Sequence, residues 1–137
     1  MYIHKVQYYE TDKMGITHHS NYIRWMEEAR VDYLDRMGYG FDKLEEEGIV
    51  APVVSLSCDY KKPSTFADEI AIDIKVVGYK GVKLRLKYEM RNQDDELVCI
   101  AESSHGFIHE DGRPIRMKKE YPVFHEALMN ELVEEEE

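Results

Sequence analysis

Positive charge is scarce in this 137-residue chain: 18 Lys and Arg stand against 28 Asp and Glu, giving a formal net charge of −10. Such a balance repels phosphate backbones and argues against a nucleic-acid binder. Four of the negative charges are the terminal Glu134 to Glu137, so the remainder carries −6 by subtraction (−10 less −4), an ordinary value for a small domain. Long hydrophobic runs are missing too. No stretch approaches about eighteen apolar residues, so no membrane-spanning helix is expected. The N-terminus lacks the basic-then-apolar layout of a secretory leader, and both features point to the cytoplasm. Cysteine is nearly absent. Cys58 and Cys99 lie far apart, match no metal spacing and read as reduced strand residues. Repeats, linkers and low-complexity segments are also lacking, the acidic tail apart. What is present, 43% hydrophobic and 34% charged residues, suits a single domain over residues 1–137 with an adequate core. Residues 133–137 are expected to fray, because negative charge crowds a helix C-terminus there.

Hydrophobic periodicity divides the chain. Tyr2 to Tyr9 reads as a short aromatic and β-branched strand. After Ser20, a plausible N-cap, apolar residues recur at Tyr22, Trp25, Met26, Ala29, Tyr33 and Met37, a helical stripe that Gly38 and Gly40 end. Phe41 to Glu47 adds a helical turn or two. The period then changes to two. Val50 to Tyr60 alternates, with Pro52 placing its start at an edge or bulge. Asp68 to Val77 follows, with Ile70, Ile72, Ile74 and Val76 on one face. Gly78-Tyr79-Lys80-Gly81 is a hairpin signal, Val82 to Arg91 alternates cleanly, and Leu97 to His109 forms the last long strand. Pro122 suits the first turn of a terminal helix over Val123 to Val133. One long helix followed by strands in meander order predicts an α+β fold, an antiparallel sheet covered by the helix from Ser20.

The loop before that helix carries the chemistry. Tyr8-Tyr9-Glu10-Thr11-Asp12-Lys13-Met14-Gly15-Ile16-Thr17-His18-His19-Ser20-Asn21-Tyr22 delivers a carboxylate, two imidazoles and a helix start. The first N–H groups of a helix lack internal acceptors and sit at the positive end of its dipole, so they stabilise an oxygen that becomes negative during a reaction. If the loop folds back, Asp12 lies near the same end, ready to attack an acyl carbon directly or through water. The competing reading is that Asp12 only caps the helix or closes an Asx turn.

The pattern Tyr9-x-x-Asp12-x-x-Gly15-x-x-x-His19-x-Asn21-Tyr22, with Trp25, Glu28, Ala29 and Arg30 behind it, resembles the opening motif of the hotdog-fold acyl-CoA thioesterases. The nearest branch is the 4-hydroxybenzoyl-CoA thioesterase/YbgC-like group. Tyr60-Lys61-Lys62-Pro63 with Asp68, and Gly112-Arg113-Pro114, extend the likeness over essentially the whole chain. The resemblance implies a hotdog fold, a sheet wrapped around one long central helix, with Asp12 as catalytic carboxylate. It also implies that the backbone N–H of His19 receives the thioester carbonyl, with Gly15 in the turn between them. Thr17, His18, Asn21 and Tyr22 are then substrate-binding candidates, as is Ser57. Thr17 and His18 depart from the apolar or aromatic residues that many relatives carry. Coenzyme A is part of the substrate, with acyl-carrier protein the other carrier, and no separate cofactor is implied. A homodimer or homotetramer is expected, both because a lone sheet leaves edges and because the family's active site lies between chains.

Other constellations weigh less. Neighbouring His18 and His19 cannot share an ion without distortion, and His105 and His109 lie about 13 Å apart along a strand, too far for one zinc, so no metal site is assigned. Half of the basic residues cluster at Lys61, Lys62, Lys83, Arg85, Lys87, Arg113, Arg116, Lys118 and Lys119. Lys62, Lys83 and Arg116 are the candidates for coenzyme A phosphates; otherwise these are solvated strand and turn residues. Glu28 and Arg30 read as helix-surface residues. Ser57 heads no Gly-x-Ser-x-Gly elbow. Two alternatives to a thioesterase stay open: an enoyl-CoA hydratase-type dehydratase on the same scaffold, and a non-catalytic acyl-CoA-binding module. The dehydratase favours an Asp/His pair about five residues apart, whereas His18 and His19 follow Asp12 by six and seven.

Overall fold

The computed structural model describes residues 1–133; of the fraying expected over 133–137, all but Val133 falls outside the described residues. Among the described residues, seven strands form. They are β1 (Tyr2–Lys5), β2 (Ile49–Val50), β3 (Val53–Tyr60), β4 (Glu69–Tyr79), β5 (Lys83–Arg91), β6 (Leu97–Gly106) and β7 (Ile108–His109). Five make one sheet in the order β1-β4-β5-β6-β3, and β2 pairs with β7 in a separate antiparallel ribbon. The helices are α1 (Ser20–Arg36), α2 (Phe41–Glu46), α3 (Met117–Glu120) and α4 (Pro122–Glu131). No helix among the described residues is long and apolar enough to cross a membrane.

The chain forms two compact units. The first comprises Met1–Tyr33, Cys58–Ile74 and Tyr88–Ala101. Here β1 runs antiparallel to β4, Tyr2 opposite Ile72 and Lys5 opposite Glu69. The β4 alternation buries Ile70, Ile72 and Ile74, and β5 ends on buried Tyr88 and Met90. The first turns of α1 bury Tyr22, Trp25, Met26 and Ala29, four of the six stripe positions, as a one-sided helix must to leave water. Arg30 departs from its reading as a surface residue. It is buried, and its guanidinium donates to the Tyr88 hydroxyl at 3.1 Å.

The second unit comprises Leu34–Ser57, Lys75–Lys87 and the segment from Glu102 onward. Its core includes Tyr39 stacked on Phe124, ring centroids 4.3 Å apart, with Phe107 edge-on to Phe124 at 5.9 Å. Gly38 takes a φ of +86°, the left-handed conformation that ends α1, and its N–H returns to Asp35 O. Gly81, at +86°, turns β4 into β5 where the hairpin signal stood. Val133 is held at the end of the described chain by its N–H, which donates to Val76 O at 2.9 Å.

Three strands are shorter than their composition suggests. The first stops at Lys5, and Tyr8–Glu10 forms a single 3-10 turn, because the Glu10 carboxylate takes the Gln7 N–H that a strand would have needed. The run from Val50 to Tyr60 breaks at Ala51 and Pro52, where proline has no N–H for a ladder, and β3 becomes the sheet edge. The run to His109 breaks at Phe107, whose carbonyl accepts the Ile115 N–H instead of a ladder partner. The short α3 had no periodic signal, since four residues are barely one turn.

Candidate active site

The loop folds back on itself. Thr11 and Thr17 form an antiparallel bridge, the Asp12 N–H donates to Ile16 O at 2.9 Å, and the Gly15 N–H donates to Asp12 O at 3.0 Å. Gly15 sits at φ +79°, a conformation that any Cβ would strain, and this residue lets the turn close. Asp12 itself is exposed. Its Oδ1 accepts the Met14 N–H at 2.8 Å, an Asx turn, so the structural role weighed for this residue is real. That bond leaves Oδ2 for chemistry.

The second side of the site is the start of α1. His18 O accepts the Asn21 N–H at 3.0 Å and His19 O the Tyr22 N–H at 3.2 Å, which sets the first turn. Ser20 is the first helical residue rather than the cap. The His18 ring does the capping: its Nδ1 accepts the Ser20 N–H at 3.2 Å and lies 2.8 Å from Ser20 Oγ. The His18 and His19 rings stack with centroids 4.2 Å apart. Among the described residues the His19 N–H has no acceptor, and it belongs to the residue just before α1.

Asp12 and His19 face one cavity of about 350 Å³, lined also by Ile16, Thr17, His18, Tyr22, Tyr60, Lys61, Lys62 and Pro63. Of the residues singled out in the sequence, Asp12, Thr17, His18, His19, Tyr22 and Lys62 line it; Gly15 shapes its turn. Asn21 is buried behind the wall, its amide donating to Glu10 O at 3.0 Å and to His18 O at 3.3 Å. The Thr17 and Tyr22 hydroxyls are already engaged. Tyr22 Oη lies 2.9 Å from Ser64 Oγ, which donates to Thr17 Oγ1 at 2.7 Å, and Thr17 Oγ1 donates on to Ser64 O at 3.1 Å. Lys62 pairs with Glu96. Ser57, Lys83 and Arg116 belong to the second unit and are exposed there, Ser57 on β3, Lys83 opening β5 and Arg116 just before α3. His105 and His109 do not share the single strand expected of them: β6 ends between them, and the His109 ring pairs with Glu120 at 2.8 Å. Among the described residues no three His, Cys, Asp or Glu side chains gather as metal ligands.

Burial tunes the far wall. Burial and the neighbouring Cys58 push the Tyr60 hydroxyl up to about 12, and its ring meets Tyr22 edge-on at 5.0 Å. A hydrogen bond with Cys99, outweighing desolvation, brings the Cys58 thiol down to about 7, while the same bond and burial push Cys99 up. Burial raises the Tyr22 hydroxyl as well. Sequence reading missed four residues that build this site: Glu10, His4, Ser64 and Tyr60 as a wall. Glu10 did leave a signal, the Gln7-x-x-Glu10 spacing of a capping box, which the aromatic run around it masked.

With this geometry in place, comparison with known proteins is informative. The profile of the Thioesterase-like superfamily matches residues 6–132. YneP of Bacillus subtilis is 34% identical over 124 residues, 90% of each chain. The acyl-CoA thioester hydrolase YbgC of Escherichia coli is 24% identical over 98 residues, 72% of this chain and 73% of that one. The crystal structure of a DHNA-CoA thioesterase from Staphylococcus aureus superposes with a TM-score of 0.89 at 34% identity, covering 94% of this chain and 87% of the other. The α+β class and the hotdog relationship expected from the opening motif both hold.

Proposed function

Because this chain belongs to the Thioesterase-like superfamily, we propose that it hydrolyses acyl-CoA thioesters at the cavity shared by Asp12 and His19. One observation carries this reading: a carboxylate with a free oxygen and an unpaired helix-start N–H line the same cavity. The carbonyl oxygen of the thioester accepts the His19 N–H, which stabilises the negative charge that develops as the carbon becomes tetrahedral. Asp12 acts from the other side, in one of two ways. As a nucleophile its carboxylate adds to the carbonyl carbon and expels the thiolate, leaving an anhydride that water cleaves. As a general base it takes a proton from the water that adds. Either route ends in the free acid and coenzyme A thiol, with no cofactor beyond the substrate's own coenzyme A. The acyl-CoA activities named for the Escherichia coli and Staphylococcus aureus relatives support coenzyme A as the carrier over acyl-carrier protein.

The same reading includes assembly. β3 ends the five-stranded sheet and, among the described residues, leaves one side of its backbone without a strand neighbour, while Val53, Val54 and Tyr60 are 49%, 62% and 48% exposed. A second copy paired there by two-fold symmetry covers that edge. Sedimentation tests it: a stable, active 16 kDa monomer at micromolar concentration is the opposing result.

Asp12→Asn tests the chemistry, assayed by thiol release with short, long and aromatic acyl-CoAs. Asn keeps the Oδ1 that accepts the Met14 N–H, so the turn survives and only the charge goes. The expected fall in kcat is about 10²–10⁴-fold, the usual contribution of a general base. A folded Asp12→Asn protein that turns over its best acyl-CoA at near wild-type rate ends the assignment. Tight binding of palmitoyl-CoA with no thiol release from the wild type would instead mark a binding module.

A further inference from the structure

Glu10 is 4% exposed, an unusual place for a carboxylate. Three donors meet it. Oε1 accepts the Gln7 N–H at 2.8 Å and lies 2.8 Å from His4 Nε2, and Oε2 accepts the Trp25 Nε1–H at 2.8 Å. Burial works against its charged form, but these bonds outweigh it and hold the carboxyl below its ordinary range. His4 is itself clamped. Its Nδ1 lies 2.9 Å from Glu28 Oε2, which also accepts the Tyr2 hydroxyl at 3.1 Å, and its ring lies 4.7 Å from that of Trp25. Each of its ring nitrogens thus faces a carboxylate.

The main chain of the same residue faces the site. Glu10 O accepts the His18 N–H at 2.9 Å and the Asn21 amide at 3.0 Å. His18 is the residue before His19, and Asp12 lies two residues beyond Glu10 on the other arm of the loop. One residue therefore ties both arms to β1 and to α1. Capping the Tyr8–Glu10 turn requires only the Gln7 N–H; the contacts to His4 and Trp25 anchor that turn to other elements.

We propose that Glu10 is a positioning residue for thioester hydrolysis, fixing the distance between the Asp12 carboxylate and the His19 N–H, with His4 and Trp25 as its anchors. This rests on the function proposed above. The physical stake is alignment: a misplacement of about 1 Å between reacting groups costs on the order of 10²-fold in rate.

Glu10→Gln keeps the size of the side chain but turns an amide NH₂ either toward the Trp25 indole or toward the Gln7 and His4 donors, so at least one anchor is lost. The expected result is a fall of about 10–100-fold in kcat per folded molecule, with KM for acyl-CoA within about twofold. The decisive measurement is a double-mutant cycle on kcat with Asp12→Asn. If Glu10 acts through Asp12 and His19, Glu10→Gln lowers the residual Asp12→Asn rate by less than about threefold. A merely structural role gives the same fold-loss in both backgrounds. His4→Gln, at a partly exposed position, keeps a donor to Glu10 while removing the ring between the two carboxylates. It is expected to show a smaller loss with the same non-additivity, and it decides the matter if Glu10→Gln fails to fold. Wild-type kcat in the variants that fold, or strictly multiplicative losses, overturns the proposal alone, provided Asp12→Asn shows its expected loss of about 10²–10⁴-fold. An Asp12→Asn protein of near wild-type rate overturns the catalytic role of Asp12 and this proposal with it.

Discussion

Thr17, Ser64 and Tyr22 form a hydrogen-bond relay whose direction is fixed by what each group can donate. The Tyr22 hydroxyl donates to Ser64 Oγ, Ser64 to Thr17 Oγ1, and Thr17 to Ser64 O, which also accepts the Thr17 N–H at 2.8 Å. Ser64 is fully buried, and Tyr22 and Thr17 are 3% and 7% exposed, so water replaces a lost partner poorly. Thr17→Val preserves shape and strands the Ser64 hydroxyl without an acceptor; a buried orphan of that kind costs about 1–3 kcal/mol. Ser64→Ala strands the Tyr22 hydroxyl for a similar cost. Tyr22→Phe leaves Ser64 its other partner and costs about 0.5–1.5 kcal/mol. The single losses sum to about 2.5–7.5 kcal/mol, yet the triple variant leaves no orphan and should lose less than about 1.5 kcal/mol. Urea denaturation at one fixed protein concentration reads this directly. Singles that add up in the triple variant would refute the relay. A second readout bears on substrate: Thr17→Val should keep wild-type kcat, because its hydroxyl points to Ser64. A large kcat loss without a stability loss would put that hydroxyl on the substrate.

Cys58 should react with iodoacetamide along a pH profile centred near 7, because the hydrogen bond with Cys99 stabilises its thiolate, while buried Cys99 stays unmodified. Cys99→Ser should change that profile, and mass spectrometry showing equal labelling of both thiols contradicts the assigned direction. If Lys62 holds a coenzyme A phosphate, it does so in competition with Glu96: Lys62→Ala should raise KM for acyl-CoA and Glu96→Gln should lower it, both effects shrinking with added salt. Unchanged KM in both variants removes Lys62 from the binding surface.

The sequence made the framework legible wherever one face of an element alternates with the other. Ile70, Ile72, Ile74 and Val76, or Leu84, Leu86, Tyr88 and Met90, announce their strands because burial on one side leaves a period of two. The helix stripe from Tyr22 to Ala29 is readable for the same reason at a period near four. The pairing of Asp12 with His19 was expected from the resemblance of the Tyr9-to-Tyr22 motif, and the folded-back loop does bring both residues to the wall of one cavity. Glu10 and Arg30 were not legible. A buried charge is defined by partners distant in sequence, here Trp25 and His4 for one and Tyr88 for the other, and composition gives no hint that such partners will meet. The break at Pro52 was foreseen as an edge or bulge, but the separate ribbon of β2 and β7 depends on which segment Ile108 finds, a tertiary choice.

The wall of the cavity comes from two short pieces of chain, residues 12–22 and 60–63. Within them the inward bonds are concentrated on Thr17 and Tyr22, whereas His18, His19, Lys61 and Pro63 are exposed. A few neighbouring codons could therefore change the shape and charge of the wall without disturbing the relay beneath it. If that cavity is where the thioester is hydrolysed, acyl preference becomes a matter of local drift: related chains can diverge in diet while sharing one loop, and a library randomised at those four positions is the natural place to breed a new preference.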